Sequence, residues 1–278
     1  MSQTTEALLA AGLTRAAVED ISDFHGEPAW LREARRSAFA TFEALPMPTL
    51  KDEEWRRTDV RGLRLDSVVP FATPSPRVGS RAELPAEIRG DLAAGDQVAG
   101  LLVQQDCGST FGSIEATWAS QGVIFRDLPS AVREHGDLVQ RYFGQAVPAG
   151  YNKFSALHTA FWSGGVFLYV PRGVEIAVPL QAITYLGTPG LSSFAHTLIV
   201  TEPDSEVTLV DQWFGPTGES PVLSSNVQEV FVGQNARVRY VTLQEWGRHV
   251  WNFSVNRSVL SRDATLNSLV VAFGGRFH

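Results

Sequence analysis

The sequence predicts a mainly β protein, a parallel β-solenoid (β-helix) preceded by a helical N-terminal region. Three observations carry this. After Tyr151, Val, Ile, Leu, Phe and Thr alternate with polar residues, and the breaks between runs are rich in Gly, Asn, Asp and Pro, which is the texture of strands and turns. Four later segments, VPRGVEIAVPLQ, VTEPDSEVTLVDQ, FVGQNARVRYVTLQ and VLSRDATLNSLVV, share one layout: an apolar strand, a short turn, and a second alternating strand. Their corresponding positions Val174, Val207, Val238 and Leu266 recur about every 30 residues, the spacing of stacked supersecondary units. In the first third, by contrast, apolar positions recur at helical spacing. A single strand pair cannot bury its own apolar face, whereas stacked pairs make one continuous core with polar alternates outside. A β-sandwich or jelly roll is the competing reading of the same alternation.

Taken in order, Thr4 to Asp20 is Ala/Leu-rich and reads as a helix. A second begins at Pro28, with Leu31, Arg35, Ala38, Phe42 and Leu45 on one face, and the PMP stretch stops it. KDEEWRRTDVRGLRLD reads as a solvated face anchored by Trp55. Phe71 to Gly95 has no periodicity and is expected to be a long connection, which divides the chain into a helical region and linker over 1–95 and a β-helix core over 96–278. QVAGLLVQQ is a short apolar run, and LPSAVREHGDLVQRYFG is helix-like up to Gly144. NKFSALHTAFWSGGVFLYVPRGVEIAVPLQ is read as strands interrupted by a Gly pair, with no helix after Tyr151. Gly, Asp and Asn in the repeated turns are expected where the chain turns a corner with φ > 0.

Composition narrows the function classes. A net charge of -7 and a pI near 5.4 give no basic field for a polyanion, so no nucleic-acid partner is expected. No run of 18 apolar residues exists, and the N-terminus lacks the basic start and apolar centre of a secretory signal. A cytoplasmic protein with no membrane partner is therefore expected. One cysteine, Cys107, excludes an intrachain disulfide and an all-cysteine metal or cluster site within this chain.

Individual candidates are read conservatively. No Lys, Arg or His lies within five residues of Cys107, so it is expected to be a buried small hydrophobe. His158, His196 and His249 have no metal-ligand spacing, and no metal ligand is assigned; His278 is terminal. The glycines of Ser163–Gly165 and Phe273–Gly275 neither open a helix nor precede Lys-Ser/Thr, so they are read as turn glycines. Trp162, Trp213, Trp246 and Trp251 are expected to fill a core or an interface. A β-helix enzyme acting on carbohydrate, or a sugar-binding protein, is the alternative function. It would need acids on one concave face, for which Asp204, Asp211, Glu219 and Glu229 are the available set.

The 152–181 stretch, the HTLIV and DSEVTLVDQ strand pair, ARVRYVTLQEW, WNFSVNRSVL and the leader EPAWLREARRSAFATFEALPMPTLKDEEWRRTDV together resemble the SufB/SufD family of the SUF iron-sulfur cluster assembly system. The resemblance runs over nearly the whole chain. It implies a right-handed parallel β-helix after a helical leader, a SufB-type partner chain and the SufC ATPase. Where a SufB-like strand has Arg before TLI, this chain has His196; where a Cys is expected after SEVTLV, Trp213 stands; and the Lys of the NFVTKR-like motif is Asn256. Gln244 and Trp246 match the family pattern. The resemblance therefore implies a SufD-like, non-catalytic scaffold subunit that binds no cofactor alone, with a transient iron-sulfur cluster or flavin only in the complex. The repeats still run at VVAFGGRFH, so the core is expected to be incomplete at its C-terminal end, where the family binds SufC; a homodimer is the other assembly expected.

Overall fold

The structure is a computed structural model that describes residues 12–93, 97–219 and 221–276. Helix α1 (Arg15–His25) starts at Thr14, whose hydroxyl accepts from the Ala17 N–H at 3.1 Å, and ends at Gly26 in the left-handed conformation. Residues 4–11 of the helix expected over Thr4 to Asp20 lie outside the described residues. In α2 (Ala29–Ala44), Pro28 is the N-cap, and Leu31, Arg35, Ala38 and Phe42 are buried as the periodicity predicts, joined by Phe39, while Leu45 caps the helix and is half-buried. Arg35 is completely buried. Its guanidinium grips Glu27 with two bonds of 2.8 and 2.6 Å, donates to the Ala160 carbonyl at 3.0 Å and stacks over Trp162.

The charged stretch after α2 is held by Trp55, which packs against Phe154 and Phe253 at 5.4 and 6.0 Å between ring centroids. Its Arg61–Asp59 and Arg64–Asp66 pairs are exposed and contribute little stability. The aperiodic segment that follows lies on a sheet, with Leu84 and, from α3 (Ala86–Arg89), Ile88 packed against Leu101, Val103 and Ile183. Short α4 (Ala116–Ser120) follows. The helix expected over 128–144 is two helices, α5 (Leu128–Glu134) and α6 (Gly136–Tyr142), broken where His135 leaves helical geometry.

The stretch after Tyr151 departs from its all-strand reading. Lys153–Phe161 is helix α7. A capping box starts it: the Asn152 side chain accepts from the Ser155 N–H at 2.8 Å, and the Asn152 N–H donates to Ser155 Oγ at 2.9 Å. Nearly every side of α7 is buried, so its apolar residues are not confined to one helical face and the 3.6-residue period is masked. The glycine pair is no turn either, because it opens a strand.

Four strand pairs follow: β4 (Gly164–Val170) with β5 (Leu180–Tyr185), β6 (Ala195–Thr201) with β7 (Glu206–Phe214), β8 (Val222–Val232) with β9 (Arg237–Glu245), and β10 (Val250–Leu260) with β11 (Thr265–Ala272). The first members run parallel in one sheet, ordered β4-β6-β8-β10, and the second members run parallel in the other, ordered β5-β7-β9-β11. This is a parallel β-solenoid, and its ladders exclude the jelly roll. The hairpin β1 (Gly100–Gln105) and β2 (Gly108–Ile114) extends one sheet, with β1 parallel to β5; β3 (Ile124–Asp127) joins the other antiparallel to β4.

Val207, Val238 and Leu266 stand in one register row. Val174 does not join it. Glu175 pairs with Glu206 and Leu180 with Leu209, so Ile176 takes the place beside Val207 and the first pair carries two extra residues. The corners are held by Gly173, Asp204, Asn235 and Asp263, all with φ between 58° and 72°. Asn235 Nδ2 donates to Asp204 Oδ1 at 3.0 Å, tying one corner to the next. Between the sheets lies an apolar core that includes Val166, Leu168, Ile199, Leu209, Val230 and Val238. Helices α1, α2, α5 and α7 pack over the outside of β4, β6 and β8 in a second cluster.

Candidate functional site

The outer face of the β4-β6-β8 sheet carries a buried polar relay. The capped helix α7 presents His158, whose Nδ1 lies 2.7 Å from the Ser225 carbonyl; since a carbonyl only accepts, Nδ1 carries the proton. His158 Nε2 therefore accepts from His196 Nδ1, 3.1 Å away on β6. His196 Nε2 lies 3.1 Å from Glu229 Oε2 on β8, so a proton lies between imidazole and carboxyl. The Gly144, Ala146 and Val147 N–H groups also donate to Glu229, at 2.7, 2.7 and 2.8 Å. Burial raises the Glu229 pKa, but the His196 bond and these N–H groups outweigh it and hold the group below the ordinary carboxylate value. Phe143 stacks on the His196 ring at 4.5 Å. Burial, first, and the neighbouring His196 push His158 well below the usual imidazole value. The relay clamps the segment between α6 and α7 onto the solenoid.

A second polar group lies between the sheets. Thr197 and Tyr240 hydroxyls each donate to Asp211 Oδ2 at 2.9 Å, and the neighbouring Trp213 side chain, like them, lowers the carboxyl's pKa. Burial without a cation nevertheless raises Asp211 to about 6. A raised acid favours the fold while protonated: its contribution is complete below the unfolded value of 3.8 and is lost as pH rises through about 6. Asp211→Asn should accordingly flatten the fall in stability of the chain between pH 4 and 7, by an amount on the order of 2–3 kcal/mol, in urea titrations across that range.

The motif positions do not form one constellation. His196 faces the helices, while Trp213 and Gln244 are register partners pointing between the sheets. Gln244 Oε1 accepts from Asn252 Nδ2 at 2.6 Å. Trp246 is buried in the same hydrophobic cluster as Trp213, and Asn256 is exposed on β10, in register with buried Gln228. The four tryptophans Trp162, Trp213, Trp246 and Trp251 are all buried, in keeping with core filling.

Cys107 is buried, and burial pushes its thiol up to about 11, which keeps it protonated. The acids needed by a carbohydrate-active site are scattered: Asp204 is at an exposed corner, Asp211 between the sheets, Glu229 on the helix side and Glu219 in a loop. Among the described residues no group of three or more His, Cys, Asp or Glu is placed to hold a metal ion. His278 lies outside the described residues. No local spacing signals the relay, because His158 and His196 are 38 residues apart and Glu229 bonds groups up to 85 residues away.

Two family models match this chain in tandem. The SufBD protein N-terminal region covers residues 102–182, and the SUF system FeS cluster assembly SufBD core domain covers residues 184–278. The chain belongs to the SufBD family. Among SufBD proteins, it is 33% identical over 263 residues to an iron-sulfur cluster assembly SufBD family protein of Staphylococcus haemolyticus, and 32% identical over 263 residues to the iron-sulfur cluster assembly protein SufB of Bacillus subtilis. Each alignment takes in 92% of this chain and 55% of the relative, so the chain spans about half the length of the curated relatives it matches. The SufBD core match contains β6 to β11, and the N-terminal match contains all but the first two residues of the β1–β2 hairpin, together with α7 and β4. No described helix is long and apolar enough to cross a membrane.

Proposed function

We propose that this chain is a SufD-like, non-catalytic scaffold subunit in iron-sulfur cluster assembly, working in the cytoplasm beside a SufB-type chain and a SufC-type ATPase. The observation that carries the reading is the state of its thiol. Accepting and passing on sulfane sulfur needs an accessible thiolate, and the one cysteine here is buried with its pKa raised to about 11. Trp213, at the position the family resemblance gives to a reactive Cys, is itself buried beside Asp211. The chain then supplies shape and interface, sulfur chemistry resides on the partner, and any iron-sulfur cluster is cargo of the assembly.

Native mass spectrometry of the chain mixed with a SufB-type chain and a SufC-type ATPase tests this. A heterocomplex is expected, with no persulfide on this chain after exposure to a cysteine-persulfide donor. A homodimer that ignores both partners, or a persulfide-bearing chain, overturns the proposal.

A further inference from the structure

The solenoid interior contains a polar level that its own side chains do not complete. Thr197 and Asp211, on the two strands of one pair, meet between the sheets. Their register partners in the next pair are Gln228 and Thr242. In-register residues of parallel strands leave the same face about 4.8 Å apart, so Gln228 and Thr242 point into the same interior one step along the axis. Each of the three residues Asp211, Gln228 and Thr242 has a buried polar atom with no protein partner: Oδ1, Nε2 and Oγ1 respectively. Their exposures are 0%, 2% and 1%. On the opposite side, the register partners of Thr197 and Asp211 are the apolar Val166 and Ala182. The polar level therefore faces an apolar floor.

We propose that a water molecule is bound inside the solenoid, donating to Asp211 Oδ1 and Thr242 Oγ1 and accepting from Gln228 Nε2. Water fits because the site offers two acceptors and one donor, and buried waters typically make about three hydrogen bonds. A cation does not suit it, because the Gln228 amide N–H would face the ion. Tyr240 and Thr197 saturate Asp211 Oδ2, which leaves Oδ1 for the water.

Two measurements on the chain test this. A crystal structure should show a solvent peak about 2.7–3.2 Å from all three atoms. Direct pairing of the three side chains with no peak overturns the proposal, as does an anomalous peak at this position after a thallium soak, which would mark a monovalent cation. Thr242→Val should lower Tm by about 2 °C or more, because it removes one partner of a bound water. A Tm that is unchanged or raised means that the hydroxyl was unsatisfied without water, and likewise overturns the proposal.

Discussion

Gly165→Ala should abolish folding of the chain or cost more than about 4 kcal/mol, the range reserved for a change with no means of relaxation. A Cβ at residue 165 would overlap the carbonyl oxygen of His196 and lie 2.6 Å from its carbonyl carbon and nitrogen, all backbone atoms of the neighbouring strand β6. The backbone at Gly165 has φ 137°, a conformation that L side chains rarely adopt. Its N–H also donates to Gln104 Oε1 at 2.6 Å, which fixes it against β1. Relief would require parting β4 from β6 where the solenoid begins. Gly136→Ala is the control, since a Cβ there meets nothing within 4 Å and Gly136 is the first residue of α6; it should be neutral or slightly stabilising. Thermal unfolding followed by circular dichroism separates the two, and an alanine variant at 165 with Tm within about 2 °C of the parent would refute the steric argument.

Glu229→Ala should cost about 3–5 kcal/mol, because it strips the partner from three N–H groups and from His196 in a buried site. Glu229→Gln should cost less: one oxygen still serves Ala146 and Val147, but its amide N–H now faces donors where Oε2 accepted. Hydrogen exchange is the direct reading, with Gly144, Ala146 and Val147 all losing protection in the alanine variant and chiefly Gly144 in the glutamine one. The relay also sets an acid limit. His158 is held below its unfolded value of 6.5 and Glu229 below 4.5, so both contributions are complete above those values. Stability falls as pH drops through 6.5 for His158, and below 4.5 for Glu229. Glu229→Gln should remove the lower of the two losses in acid unfolding curves.

Much of this fold was legible, for a physical reason. Solenoid corners demand left-handed backbone at each turn, and that demand is written as Gly173, Asp204, Asn235 and Asp263 at near-constant spacing. The alternation beside them reports inward and outward faces directly. Two things were hidden. Helix α7 is buried almost all round, so the period that betrays a surface helix is missing, although Asn152 and Ser155 at capping-box spacing did announce it. The offset of Val174 by two residues was also invisible, because a two-residue shift preserves which side chains point inward. The relay was legible in none of its parts. His158 and His196 had no motif spacing, Glu229 was noticed only as an acid, and its partners are backbone N–H groups that any sequence would supply.

The bond from Arg35 to the Ala160 carbonyl spans 125 residues. During synthesis, α2 leaves the ribosome long before α7 exists, at a rate of about 5–20 residues per second, so Leu31, Phe39 and Phe42 wait roughly 6–25 s for their packing surface. Through that interval the leader is a nascent amphipathic helix with a vacant apolar stripe and an arginine whose final acceptor has not been translated. Its docking is a late event of biogenesis, and slowing elongation between the codons for residues 45 and 160 prolongs the time in which a chaperone or a neighbouring nascent chain has access to it.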